Sequence, residues 1–241
     1  MAWFKRTTLL GTRLVYGQQA YDSCGIACVM MVNYMLKRWE LAGNHVRPGL
    51  QHAVDDAFRS ESDVDAAYAK VSGQPYDGNT ATYTPILTAV LNQLNIGHWQ
   101  QIPLSSARVA DRIIDSCVGA SPVPMIILVD WRSISGGHFV VCDVAGPIRR
   151  QMCADFCDPW DASVHTLRIA RGQPITYATA QETPTNAHYY YHQATTGAMD
   201  GWVICRTMMT QNVRQAENKP AILPGAQTSF VPRTPRFARL G

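Results

Sequence analysis

Long apolar runs are missing from this sequence. The longest, CGIACVMMV, leads into Asn33, Lys37 and Arg38, so no transmembrane helix is expected and membrane insertion is not part of the reading. The opening MAWFKRTTLLGTRLVYGQQ has no apolar core before Thr7 and no small-residue cleavage site. A secretory signal is therefore not expected either. Charge is scarce, at 16% of 241 residues, while 46% are hydrophobic. Disorder along the whole length needs the opposite balance and is excluded. The net charge of +3 belongs mainly to residues 212–241, where Arg214, Lys219, Arg233, Arg236 and Arg239 face only Glu217. The rest is close to neutral, which leaves no footprint for nucleic acid. Seven cysteines is an odd number for a disulfide framework, and without a signal a reduced cytosolic origin is expected. The cysteines then read as core filler, metal ligand or nucleophile.

Apolar periodicity predicts helices over Ser23 to Trp39, Leu50 to Val71 with a break near Ser60–Ser62, Thr84 to just before Gly97, and Ser105 to Cys117. The first is apolar on nearly every face and should be central and buried. Pro85 suits the first turn of the third. Short β-branched or aromatic segments follow, PMIILVD (124–130), HFVVCDVA (138–145) and MCADFC (152–157), with further strands at Val164 to Ile169 and Trp202 to Met208. The run Tyr189, Tyr190, Tyr191 reads as a half-buried strand. Helices first and sheet second predicts an α+β domain over residues 1–211 with a cleft between its halves. Residues 212–241, basic and proline-containing, read as a flexible tail.

The sharpest local feature is QQAYDSCGIAC. Cys24 stands at the start of an apolar helix, where unpaired N–H groups and the helix dipole favour a thiolate. Gln18 or Gln19, just upstream, could donate to a developing oxyanion. Cys28, one turn further on, is expected to pack in the core. In GGHFVVCDVA, His138 follows Gly136 and Gly137 at a strand start, and MCADFCDPW puts Asp158 at the end of the next strand. Neighbouring strands can set a histidine beside a carboxylate that fixes its tautomer and stabilises its charged form. Asp143 and Asp155 are the competing carboxylates. Cys24/Cys28 and Cys153/Cys157 are spaced by four, unlike structural zinc pairs, so neither a metal nor a cofactor is expected.

The order glutamine, cysteine at a helix start, glycine–histidine on a strand and aspartate–proline resembles papain-like cysteine peptidases. It is most similar to the bacterial double-glycine leader peptidases of peptide-exporting ABC transporters and to their stand-alone relatives. The matching positions are Gln18, Cys24 with Gly25, His138 with the FVV after it, and Asp158 with Pro159. Ser23 departs from the pattern by separating Asp22 from Cys24, and the long Cys24-to-His138 interval implies extra helices at 45–118.

The resemblance implies a papain-like fold and a cysteine endopeptidase of protein or peptide substrates cut after Gly-Gly. Cys24 is then the nucleophile, His138 the base, Asp158 its orienting group, and Gln18 with the Cys24 N–H the oxyanion site. Bulky residues near the triad, Trp131, Phe139 and Trp160, would narrow the cleft, and Gly137, Trp131 and Trp160 are the candidate substrate contacts. A stand-alone peptidase of this kind also resembles an effector or toxin made in the cytoplasm, delivered into a target cell by a specialised secretion system and matched by a neutralising immunity protein. The same triad serves glutamine deamidases and transglutaminases, and a silent binding module that keeps the fold is the reading from another class.

Overall fold

The computed structural model describes residues 3–37, 40–42, 45–47, 61–78, 80–94, 97–119, 122–131, 137–178 and 196–206. The expected Tyr189–Tyr191 strand and the 212–241 tail lie outside these residues. The chain opens on an antiparallel hairpin, β1 (Trp3–Thr8) and β2 (Gly11–Tyr16), followed by α1 (Cys24–Lys37). A small pair, β3 (Glu40–Ala42) and β4 (His45–Arg47), precedes α2 (Glu61–Ser72) and α3 (Thr84–Gln93). Then come β5 (Trp99–Leu104), α4 (Ser106–Cys117), β6 (Met125–Trp131), β7 (Gly137–Ile148), β8 (Gln151–Asp158), β9 (Ser163–Arg168), β10 (Thr176–Ala178) and β11 (Thr196–Arg206).

The main sheet runs β10-β11-β6-β7-β8-β9 with every neighbour antiparallel, and β5 pairs with the second half of β11. The chain is therefore α+β with antiparallel sheets. Alternation along β7 divides the core in two. Phe139 and Val141 join a cluster with Ile26, Val29 and Met30 of α1 and Leu87 and Leu91 of α3. Val140 and Cys142 join a second cluster with Val109, Ile113 and Cys117 of α4. Successive strand residues point to opposite faces, so α1 and α4 cover opposite sides of the sheet. With Ile26, Ala27, Cys28, Val29, Met31 and Val32 all fully buried, α1 is the central helix that its all-round apolar sequence predicts. No helix among the described residues is long and apolar enough to cross a membrane.

Helices first and sheet second is not the observed order. A hairpin precedes α1, and β5 lies between α3 and α4. The hairpin escapes a hydrophobic-pattern reading because its strands, WFKRTT and GTRLVY, are only half-buried and carry Lys5, Arg6 and Arg13. Val15 and Tyr16 enter the core, and long-range bonds add to that hold. Arg6 Nε donates to the Ala162 carbonyl at 2.8 Å, and the Thr8 hydroxyl donates to Asp155 Oδ2 at 2.5 Å.

Candidate active site

The nucleophile position is built by the turn between β2 and α1. Ser23 N–H donates to the Ala20 carbonyl at 3.3 Å, Ser23 Oγ accepts the Ala20 N–H at 3.0 Å, and the Ser23 carbonyl takes the first helical N–H, from Ala27, at 2.9 Å. Cys24 is thus the first residue of α1, where backbone N–H groups have no partner a turn earlier within the helix. Gly25 permits this placement. A Cβ there would collide with Thr82 Oγ1 and come within 2.7 Å of Leu87 Cδ1. The residues leading into α3 therefore press directly on the start of α1. The segment before α3 also clasps the turn, since Asp22 N–H donates to the Gly78 carbonyl at 2.9 Å and the Tyr76 hydroxyl to the Asp22 carbonyl at 3.1 Å.

His138 is the second residue of β7 and is 5% exposed. Gly137, exposed beside it, has to be small, because a Cβ would sit 2.7 Å from Leu128 Cδ1 and 3.1 Å from the Val129 carbonyl. The register Val141↔Cys157, carried one residue on, sets Asp158 against Val140. His138 is two residues along on that same face, within diagonal reach. The Nε2–H of His138 donates to Asp158 Oδ1 at 2.7 Å, and Cys24 lies near enough to favour the charged form of the ring. With Nε2 committed to the carboxylate, Nδ1 is the ring nitrogen left for the sulfur.

Asp158 is fully buried and saturated. The Trp160 N–H also bonds Oδ1 at 2.7 Å, and the Tyr177 hydroxyl donates to Oδ2 at 2.6 Å, with His165 Nε2 3.8 Å away. Burial alone would raise this carboxyl, but His138, then His165 and Tyr177, hold it below the usual carboxylate range. Burial likewise opposes the charged imidazole, and the Asp158 carboxylate, followed by Cys24, outweighs it and moves His138 well above its ordinary value. The arrangement favours a carboxylate–imidazolium pair presented to a thiol.

The other predicted residues fall as follows. Gln18 is buried, its N–H bonds the Pro159 carbonyl at 2.9 Å, and its Nε2 donates to the carbonyls of Ala20 (2.9 Å) and Tyr21 (2.7 Å). Its side chain thus lies within the turn that delivers Cys24, whereas Gln19 Nε2 turns away to the Gly17 carbonyl at 3.1 Å. Trp160 is 5% exposed and takes the edge of Tyr21 at a ring separation of 5.6 Å, so Tyr21, 45% exposed, is the aromatic surface offered there. Trp131 ends β6, and its side chain lies outside the described residues. Cys28 is fully buried, and burial, then Cys24, Asp158 and Cys157, push its thiol well up. Neither competing carboxylate is an ordinary surface group. Asp155 is buried between the hydroxyls of Thr8 and Thr166, and Asp143 meets Arg13 Nε at 2.9 Å.

Tyr177 and His165 are additions that sequence reading missed. Tyr177 lies on the three-residue strand β10, and His165 sits on the half-buried, mixed strand β9, so no local pattern marks them. Asp158, Asp161 and His165 also place one potential metal-ligand atom each within 4.8 Å of one another. Their atoms are engaged in the bonds above, with Asp161 further accepting from Ser163 at 2.6 Å and lying 3.0 Å from His165 Nε2. Tyr177→Phe removes a donor that holds the buried Asp158 carboxyl below its usual range, so the protonated form that cannot balance the His138 charge is reached at higher pH. The acidic limb of the pH profile of Cys24 reactivity should then move to higher pH, with a rate loss of about tenfold for one charge-assisted bond. An unmoved limb would limit Tyr177 to packing. No protein-family model matches the chain, and no curated protein matches it.

Proposed function

We propose that this chain is a papain-like cysteine peptidase that cleaves protein substrates after a Gly-Gly pair. One observation carries the reading: a cysteine at a helix start acts on a buried histidine that hydrogen-bonds a buried, saturated aspartate. In the reactive state the Cys24 proton already resides on His138 as the imidazolium, and the Cys24 thiolate attacks the scissile carbonyl carbon, forming a C–S bond. The carbonyl oxygen gains charge, which the Cys24 N–H and the Gln18 amide stabilise once Gln18 releases one of its two turn carbonyls. His138 then gives its proton to the leaving amine as the C–N bond breaks. A water molecule, deprotonated by His138, attacks the acyl carbon and frees Cys24. Asp158 keeps the imidazole oriented throughout and balances its charge.

The Gly-Gly preference follows from the family likeness of Gln18, Cys24–Gly25, His138 and Asp158–Pro159. It accords with an exposed Gly137 beside His138 and with the Tyr21–Trp160 pair next to Asp158. A peptide series varied only at the two positions before the cut tests it. Each glycine-to-alanine change should lower kcat/KM by more than the factor of about 10–200 that a hydrophobic pocket gives per methylene. Losses should grow with side-chain size. Equal cleavage of Gly-Gly, Ala-Gly and Leu-Gly peptides would remove the narrow cleft from the account. Mapping of new protein N-termini after expression, against Cys24→Ala, identifies substrates, and a one-dalton side-chain change without cleavage would instead assign a deamidase. A protease of this kind endangers its own cytosol, so we place it as an effector acting in a target cell, restrained in the producer by a neutralising partner.

A further inference from the structure

Of the buried acids that the mechanism leaves unused, one lies against the turn before Cys24. Glu61 is the first residue of α2, in the helical stretch between Cys24 and His138, and is 7% exposed. Its carboxylate does not face solvent at the helix start. It reaches the turn before α1, where Oε2 accepts the Gln19 N–H at 3.0 Å, with Oε1 3.3 Å from the same nitrogen, and the Tyr16 hydroxyl donates to Oε2 at 3.4 Å. The Ser23 hydroxyl lies near enough to favour the ionised carboxylate. One carboxylate therefore ties the end of β2 to the residue after Gln18, with the residue before Cys24 beside it. Ser23 carries the tie onward, since its Oγ accepts the Ala20 N–H and bonds the Ala20 carbonyl, each at 3.0 Å. That carbonyl is one of the two that hold the Gln18 amide.

This placement is costly. Burial, with Asp65 one turn further on as a lesser contributor, pushes the Glu61 carboxyl up to about 7 although Ser23, Gln19 and Tyr16 favour its ionised form. Among the described residues, the titratable groups that act on it or feel it are Asp65 on its own helix, Tyr16 on β2 and Tyr76 before α3. The unfolded carboxyl releases its proton near about 4.3, so the fold loses stability as pH rises from there to about 7. An apolar side chain would fill the space without that loss. What it could not do is accept the Gln19 N–H and the Tyr16 hydroxyl together.

We propose that Glu61 is a positioning residue of the candidate active site, whose carboxylate fixes the Tyr16–Cys24 turn so that the Gln18 amide and the Cys24 N–H converge on one oxyanion. The inference rests on Cys24 being the nucleophile. Its test compares two reactions of the full chain at that sulfur. Acylation by p-nitrophenyl acetate passes through an oxyanion, whereas alkylation by iodoacetamide does not. Glu61→Ala should lower the ratio of acylation to alkylation about tenfold, short of the 10²–10³ seen when an oxyanion donor is deleted outright. Glu61→Gln, the isosteric variant that protects against a folding failure, should show a smaller loss, because an amide accepts on one oxygen only. The wild-type ratio should rise from pH 6 to pH 8 as the carboxyl ionises, and that of Glu61→Gln should stay flat. An unchanged ratio in both variants overturns the proposal, as does a fall in which acylation, alkylation and melting temperature drop in step. Failure of the peptidase reading looks different: wild-type Cys24 would then be slow toward both reagents.

Discussion

Cys24→Ala should lower kcat/KM by about 10⁵-fold or more, the scale of losing a nucleophile, while melting changes little. The side chain stands at the start of α1 and is 9% exposed, so removing one sulfur opens no deep cavity. Cys28→Ala should do the reverse. That thiol is fully buried in the α1 core and held neutral by burial and by its acidic neighbours. Its loss should cost about 1–2 kcal/mol of packing and leave most turnover intact. Steady-state kinetics and thermal unfolding of the two variants side by side read both effects. Swapped phenotypes would move the nucleophile to Cys28.

The second large effect belongs to Asp158→Asn. The amide can still occupy the site, yet it presents a donor as readily as an acceptor to His138 and no longer balances the ring's charge. Burial, the strongest influence on His138, is then unopposed by a carboxylate and favours the neutral ring. A fall in kcat of about 10⁴-fold is expected for a wrongly oriented base, and the basic limb of the pH profile should shift to lower pH. Stability should respond with a definite sign. The depressed Asp158 contributes fully above its unfolded value of about 3.9, and this is lost as pH falls through the lower folded value. The raised His138 contributes fully below its unfolded value of about 6.5, and this is lost as pH rises through the higher folded one. The gap between wild type and Asp158→Asn, about 3–5 kcal/mol for a broken buried pair, should therefore be widest from about pH 4 to 6.5. Chemical denaturation at pH 3, 5.5 and 9 measures it.

Cys24, His138 and Asp158 were legible because each is announced by its immediate neighbours. An all-apolar helix follows the first, two glycines precede the second, and a proline turn follows the third. The strands after residue 120 were legible for the same reason, being apolar and bounded by turn residues. The β1–β2 hairpin was not, because its charged and polar residues, held by bonds such as Arg6 to Ala162 and Thr8 to Asp155, mask the apolar Leu14–Tyr16 end that enters the core. Asp155 shows the same limit from the other side. Sequence offered it as a rival third group, but register turns it toward two threonine hydroxyls. Tyr177 and Glu61 reach the site from strand and helix far along the chain, and only tertiary packing brings a phenol to Asp158 or a carboxylate to Gln19.

The central claim is that Cys24 and His138 form a reactive pair ordered by Asp158. Site-resolved alkylation by iodoacetamide at pH 5.5 tests it most directly, with the wild-type chain and His138→Ala compared cysteine by cysteine in native protein. An ordinary thiol is ionised to only about one part in 10³ at that pH. The account predicts that Cys24 is labelled selectively, about 100-fold faster than in His138→Ala once the weaker nucleophilicity of a stabilised thiolate is allowed for. A Cys24 that reacts at the rate of a free peptide cysteine, indifferent to His138→Ala, would contradict it.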